Sequence, residues 1–397
     1  MLETLADVST EANGETGERI RRPAVKRLQL TDFRGYGSAR LDVDERPVVL
    51  TGPNGAGKTN LLEAISFLAP GRGLRRARLG DIDRAGAAAA PRAPWAVAAW
   101  IETGRGEVQL GTGRDATSLS GERRIVRIDG AKAKSQAELA TFAAIGWLTP
   151  QMDRLFIEAS SGRRRFLDRL VLAFDTGHAG RLAAYELAMR ERQRLLQHGG
   201  DPGWLAALEE RMAADGIAIA AARREMAARL ALDDVSAEPF PRATLTLKGE
   251  VETWLGQMPA LAAEEALRAR LDATRRRDRD SGTTEAGPQR SDLAVRHAGT
   301  GMDAAQCSTG EQKALLIAIV LAHARLRARH TGAAPILLLD EVAAHLDATR
   351  RAALFAAILA LEAQAWLTGT DAALFAGLAG AAQFFTVADA AIHPTRM

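Results

Sequence analysis

An α/β core, discontinuous in sequence and interrupted by a mainly helical lobe, is the fold class that the sequence predicts. Three observations carry it. The stretch TGPNGAGKTN, residues 51–60, joins a buried apolar run to an apolar helix pattern. The stretch PILLLDE, residues 335–341, reads as a second buried strand that ends in two acids. Between them, over about 160–233, strand-like alternation gives way to a texture dominated by Ala, Arg and Leu.

Composition bounds the reading. A chain of 397 residues has room for one large domain with an insertion, or for two domains. Hydrophobic residues make up 47%, enough for a sizeable core. Cys307 is the one cysteine, so no internal disulfide can form, which fits a reducing, cytoplasmic setting. The longest apolar run, ALLIAIVLA at 314–322, is too short to span a bilayer, so no membrane partner is expected. The opening stretch, MLETLADVSTEANGETGERIRR, lacks the basic start and apolar stretch of a secretion signal, and residues 1–23 read as a disordered tail. The net charge is only +3, so any footprint for a polyanion must be local.

Along the chain, VKRLQLTDF (25–33) alternates as a strand does, and ERPVVLTG (45–52) is a buried strand running into the Gly-rich loop. TNLLEAISFLA (59–69) follows as a helix, ended by Pro70 and Gly71. Residues 95–102, 106–110 and 123–129 read as strands of a meander, and 145–156 as a strand leaving into a turn. Two or three long helices fill 160–233, with breaks near Gly177, Gly199–Gly200 and Gly216. Their pattern argues for antiparallel packing rather than a sustained coiled coil. Residues 242–252 are strand-like, 258–280 helical and 281–289 loop. From Asp292 the α/β texture returns: a short strand, a helix at 309–330, the strand PILLLD, a helix at 349–363, the strand AWLTGT, and QFFTVADAAI as the last strand. The expected division is therefore 24–150 and 286–397 for the two parts of the core, with the lobe at 151–285.

Gly52, Pro53, Asn54, Gly55, Ala56, Gly57, Lys58 and Thr59, with Asn60 adjoining, have the spacing of a phosphate-binding loop. Backbone N–H groups there can wrap phosphates, and Gly55 and Gly57 permit close approach. Lys58 would reach the β- and γ-phosphates of ATP, and the Thr59 hydroxyl would bind Mg2+. Only six of the 52 basic residues are lysine (Lys26, Lys58, Lys132, Lys134, Lys248 and Lys313), so Lys58 marks a place where a planar guanidinium does not fit. Asp340, at a strand C-terminus, would hold Mg2+, and Glu341 beside it could orient or deprotonate the attacking water. Against this stands the bland reading of a strand-end carboxylate pair. Ser308 and Glu311 form an S-x-x-E capping box at the head of an apolar helix. That is a helix cap, or else Ser308, Gly310 and the helix start present donors to a phosphate. Because the loop at Lys58 has its own helix, a second such start points to the nucleotide of a second protomer.

Taken together, the phosphate loop, the STGEQ stretch and the Asp340–Glu341 pair resemble the ABC-type ATPase head of SMC and Rad50 proteins. The sequence is most similar to the RecF family of bacterial replication and repair ATPases. LQLTDFRGY, GPNGAGKTNLLEAI, GRRRFLDRL, AGPQRSDL, STGEQKALLIAIVLAHA and LLLDEVAAHLD follow the family's stretches in order, over about 25–390. The resemblance implies a two-lobed protein without a long coiled coil, an ATP-dependent homodimer, double-stranded DNA binding and slow, DNA-stimulated hydrolysis. It also implies work with RecR and RecO at single-strand gaps. It casts Gln151 as the glutamine joining Mg2+ to the inserted lobe, Gln312 as part of the signature, and Asp347 as the residue that communicates across the dimer. Thr370 stands where transporter ATPases carry a switch histidine. Gln289 and Ser291 depart from the His and Asp usual in the family.

For DNA, Arg72, Arg75, Arg76 and Arg78 follow the loop helix, and Arg163, Arg164 and Arg165 open the lobe. The alternative is a solvated helix face, with Arg164 and Arg165 paired to Asp168. Sparse aromatic residues favour backbone reading of a duplex over single-strand stacking. Three rival functions remain: a transporter ATPase subunit, which expects its signature soon after the loop and a membrane partner; a small-molecule kinase, which leaves 308–312 unexplained; and a non-hydrolysing ATP-switched clamp, which leaves Glu341 without a task.

Overall fold

In the computed structural model, which describes residues 22–84, 94–115, 117, 123–232 and 239–396, an antiparallel sheet opens the chain. Strand β1 (Ala24–Phe33) and β2 (Tyr36–Asp42) form a hairpin that turns at Arg34, with φ of 55°, and Gly35. Next come β3 (Val48–Thr51), helix α1 (Lys58–Ser66), β4 (Ala96–Thr103), β5 (Gly106–Arg114), β6 (Arg124–Ile128) and the short β7 (Ala131–Lys132). The sheet runs β2-β1-β4-β5-β6-β7, so the expected meander is present, and β2, unread from the sequence, closes its edge.

β3 leaves this sheet for another. Together with β8 (Ile145–Leu148) it enters a second sheet whose other strands come from the far end of the chain. The lobe intervenes, with α2 (Ser160–Leu172), α3 (His178–His198), α4 (Pro202–Ala231), β9 (Ala243–Lys248), α5 (Glu250–Gln257) and α6 (Ala260–Ser281). After it come β10 (Asp292–His297), α7 (Thr309–Thr331), β11 (Ile336–Leu339), α8 (Ala348–Ala360), β12 (Ala365–Gly369), β13 (Gln383–Ala388) and β14 (Ala391–Thr395). The order β14-β13-β3-β12-β11-β8 sets β3 between β13 and β12 from the far end of the chain. β3, β8, β11, β12 and β13 are all parallel, so the segments that follow β3, β8, β11 and β12 leave from one edge.

Each face of the parallel sheet has a core. On one, α1 is clamped between the two sheets by Leu61, Leu62 and an edge-to-face cluster of Phe33, Phe67 and Trp95. α7, α8 and α2 pack on the other. Gln364, nearly fully buried, staples the sheets: its amide donates to the carbonyls of Val25 and Asp44 and accepts from Val25 N–H. A third core joins α3, α4 and α6 in the lobe. There the buried Arg192 donates to Glu209 at 2.9 Å, Asp278 at 2.7 Å and the Leu271 carbonyl at 2.7 Å.

Four expectations need correction. Gly216 does not break its helix, because α4 runs through it. A Cβ there would lie 3.0 Å from Leu267 and 3.2 Å from Tyr185, so the glycine makes room for packing. Residues 242–252 are strand only to Lys248; beyond Gly249, Val251 and Leu255 pack at helical spacing in α5. The last strand is a hairpin, β13 and β14, turned at Asp389 and Ala390 with φ of 49° and 58°. The strand at Asp292 pairs with β9 of the inserted segment rather than with the parallel sheet. The tail expected over 1–23 lies outside the described residues as far as 21.

Candidate nucleotide site

The loop after β3 turns because its glycines allow it. Gly52 adopts φ of 142° and lies so close to β13 that a Cβ would sit 2.1 Å from the Val387 carbonyl oxygen. Gly55, with φ of 81°, rides the exposed crest beside Pro53 and Asn54. Gly57, with φ of 110°, heads α1 and packs under Tyr36, whose hydroxyl donates to the Gly57 carbonyl at 3.2 Å. No side chain caps α1, so no side-chain acceptor of the chain competes for its N-terminus, as an anion site requires. The Lys58 ammonium is buried within the loop, donating to the Gly52 and Pro53 carbonyls at 2.7 and 2.8 Å. Burial lowers its pKa, and the carboxylates of Glu341 and Asp340 oppose that shift. Asn60 accepts from Arg75 at 2.7 Å.

Asp340 gathers the two halves of the chain. Its N–H donates to the Leu148 carbonyl at the end of β8. Its Oδ1 accepts from the Thr59 hydroxyl at 2.8 Å and from the Thr368 hydroxyl at 2.8 Å. Thr368 in turn accepts from the Glu341 N–H at 2.9 Å. Glu341 is held at φ of 53°, a left-handed conformation costly for a residue with a side chain. The hydroxyl of Thr59 and carboxylate of Asp340 are hard oxygen donors in mutual reach, the ligand chemistry that suits Mg2+. Thr368 escaped the sequence reading. Its only local signal is a Thr at a strand end, two residues before Thr370, which is exposed beyond β12.

The other expected residues distribute unevenly. Gln151 is exposed on the turn after β8, at the same sheet edge as Asp340. Lys313 on α7 pairs with Asp153 of that turn at 3.3 Å. Ser308 and Glu311 realise the full capping box, with Ser308 N–H donating to the Glu311 carboxylate at 2.8 Å and Glu311 N–H to the Ser308 hydroxyl at 3.3 Å. The helix-cap reading of Ser308 thus describes the single protomer, in which Ser308 and Gly310 are exposed. Gln312 points inward instead: it is buried and donates to the Cys307 carbonyl at 2.8 Å. Asp347 caps α8 through the Arg350 N–H.

The arginines need correction too. Arg163 forms a bidentate pair with Asp292 at 2.7 and 3.0 Å and donates to three carbonyls, so it ties GRRRF to QRSDL rather than facing solvent. Arg164 donates to Ser160 and to the Ser291 carbonyl. Neither Arg164 nor Arg165 pairs with Asp168, which instead takes Arg223 in a bidentate pair and His178 at 2.9 Å. Burial pushes the Asp168 carboxyl up, but the bonds from His178 and Arg223 outweigh it and leave it below its usual range. Arg75 bridges Asn60 and the buried Glu63. Arg72 and Arg76 line a groove between core and lobe, and Arg165 faces them across it. Arg78 is exposed nearby in sequence. In the departing loop, Gln289 donates to the Thr284 and Ala286 carbonyls and accepts from Tyr185, while Ser291 donates to Glu252 at 2.5 Å. Both act as structural ties.

Comparison with known proteins bears on the family and the fold. The model of the RecF/RecN/SMC N terminal domain matches residues 24–389. The chain is 52% identical to the DNA replication and repair protein RecF of Rhizobium etli over 370 residues, covering 92% of this chain and 97% of that protein. It is 54% identical to RecF of Allorhizobium ampelinum over 369 residues, covering 92% and 97%. Its fold matches a solved structure of the recombination mediator protein RecF-ATPrS in the RecFOR pathway, with a TM-score of 0.80 at 21% identity, covering 94% of this chain and 98% of that one. An Smc head domain from Pyrococcus furiosus matches with a TM-score of 0.52 at 16% identity, covering 94% and 96%.

Proposed function

The chain belongs to the RecF family, and from that premise we propose that it is an ATPase of DNA replication and repair that holds duplex DNA as an ATP-bound dimer. The observation that carries the reading is Asp340, hydrogen-bonded at once by Thr59 of the loop helix and Thr368 of β12. Three segments distant in sequence thereby present one lysine, two hydroxyls and two carboxylates at one sheet edge. In this reading the loop's N–H groups and Lys58 bind the phosphates of ATP. Thr59 and Asp340 hold Mg2+, with Gln151 completing its surroundings from the lobe side. Mg2+, when bound, neutralises phosphate charge and fixes the phosphates for in-line attack. Glu341, aimed by its left-handed backbone and its bond to Thr368, orients the attacking water and takes its proton. Hydrolysis is slow and serves as a reset.

Each ATP lies between the Lys58 loop of one protomer and the α7 start of its partner, where Ser308 and Gly310 are exposed. Asp347 lies near that seam and couples the two sites. Arg72, Arg76, Arg78 and Arg165 contact the DNA backbone without reading bases. The lobe at 151–285 forms the far wall of that contact. RecO and RecR, which share the pathway named for the RecF relative, are the expected partners at single-strand gaps, in the cytoplasm. Among the described residues no helix is long and apolar enough to cross a membrane.

Sizing tests the reading. The wild type should dimerise with ATP and be monomeric with ADP or no nucleotide. Ser308→Arg should bind ATP at its intact loop yet stay monomeric, hydrolyse nothing and release DNA. If the folded variant dimerises like the wild type, Ser308 is a helix cap and the shared site is wrong.

A further inference from the structure

One groove lies between core and lobe, beside Gln151. Arg72 and Arg76 come from the segment after α1, and Arg165 from α2. Arg76 is held at φ of 56°. Its guanidinium is pushed below its ordinary range first by burial, then by Arg165 and Arg72, with Glu186 opposing. The groove's other carboxylates are engaged: Asp168 by Arg223 and His178, Glu158 by Arg154. Arg72, Arg76 and Arg165 bring positive charge together along one groove.

One helical turn past Arg165 on α2 stands Arg169, which also lines the groove. Its guanidinium stacks over the Trp147 ring at 4.2 Å and donates to the Trp147 carbonyl at 3.2 Å and to the Met152 sulfur at 3.8 Å. Its Nε is cut off from water with no hydrogen-bond partner, and burial pushes the group down to about 9. Trp147 and Met152 flank Gln151 in sequence, and the intervening Leu148 carbonyl accepts from the Asp340 N–H. Arg169 therefore grips, from the lobe, the segment that carries Gln151 and braces Asp340. A buried cation paired with a ring and a carbonyl rather than a carboxylate is an awkward choice for a packing residue, because a Met or Leu would fill the space without desolvating a charge.

We propose that Arg169 is a positioning residue that couples the groove to hydrolysis: a backbone phosphate of duplex DNA drawn in by Arg72, Arg76 and Arg165 shifts α2, and Arg169 passes the shift to the 147–152 segment. This rests on the ATPase reading above. Anionic phosphate oxygens are the shared chemistry of duplex DNA and simple polyphosphates, and the groove is assigned to the duplex.

The experiment measures ATP hydrolysis by full-length wild type, Arg169→Met and Arg169→Lys, each alone, with a short duplex, and with tripolyphosphate at matched ionic strength. Duplex binding is measured in parallel. DNA should stimulate the wild type severalfold. Arg169→Met should lose most of the stimulation measured against its own basal rate while KM for ATP and duplex affinity stay within about twofold, and Arg169→Lys should restore part of it. Tripolyphosphate should not stimulate. Full stimulation in a folded Arg169→Met overturns the coupling and leaves the ATPase reading standing. Loss of basal turnover together with stimulation makes Arg169 a structural residue and also overturns it. Stimulation by tripolyphosphate alone overturns the duplex assignment, and a wild type whose hydrolysis is indifferent to DNA overturns the coupling while leaving the ATPase reading standing.

Discussion

Replacing Thr368 with valine isolates how Glu341 is aimed. Thr368 is 1% exposed, and valine has nearly its shape, so packing is retained while one hydroxyl is lost. That hydroxyl makes two bonds, donating to Asp340 at 2.8 Å and accepting from the Glu341 N–H at 2.9 Å. A hydrogen bond to a charged group contributes about 1.5–3 kcal/mol, and an orphaned buried N–H costs about 1–3 kcal/mol. Asp340 keeps Thr59, so the carboxylate itself stays in place. Glu341 does not: with its N–H released, the strain at φ of 53° can relax by turning the carboxylate away. Losing about 1.5–3 kcal/mol of alignment lowers kcat roughly ten- to a hundredfold. KM for ATP should change by less than about threefold, because the loop and Lys58 are untouched. The assay is steady-state phosphate release, with denaturant unfolding as a check on the fold. Thr368→Ser, which keeps the hydroxyl, should recover most of the rate. Wild-type turnover in a folded Thr368→Val would show that Glu341 is aimed by something else, and the argument from its backbone would fail.

Three further outcomes follow from the same geometry. Lys58→Ala should weaken ATP affinity by about 1.5–3 kcal/mol in a titration, the worth of a charge-assisted contact, and abolish ATP-dependent DNA retention; unchanged affinity would move phosphate binding away from the loop. Glu341→Gln keeps shape and hydrogen bonding while removing the base, so it should bind ATP, fail to release phosphate and accumulate as a dimer on DNA, and normal turnover would place the base elsewhere. Arg192→Met should destabilise the lobe by about 3–5 kcal/mol in denaturant, because Asp278 is left buried without its cation while Glu209 retains Arg275; a change below about 0.5 kcal/mol would show that water already satisfies that network.

Local chemistry is what the sequence carried on its own. The Gly-rich loop, the helix behind it, the strand-end acids and the Ser308–Glu311 cap each depend on residues a few positions apart, and each was legible. So was the split core, because Lys58 without Asp340 is half a site. Which arginines reach the groove was not. Arg163, Arg164 and Arg165 are neighbours in sequence, yet the first pairs with Asp292, the second holds the Ser291 carbonyl and only the third faces the groove. A helix turns each residue about 100° from the last, so which arginine meets solvent is decided by what packs against the helix. Gly216 misled for the same reason, since the residues that demand its small size, Leu267 and Tyr185, lie on other helices. Thr368 gained its role only when parallel pairing set β12 between β3 and β11, beside both Thr59 and Asp340. Strand register is fixed by the whole sheet, and no local pattern records which hydroxyl will face which carboxylate.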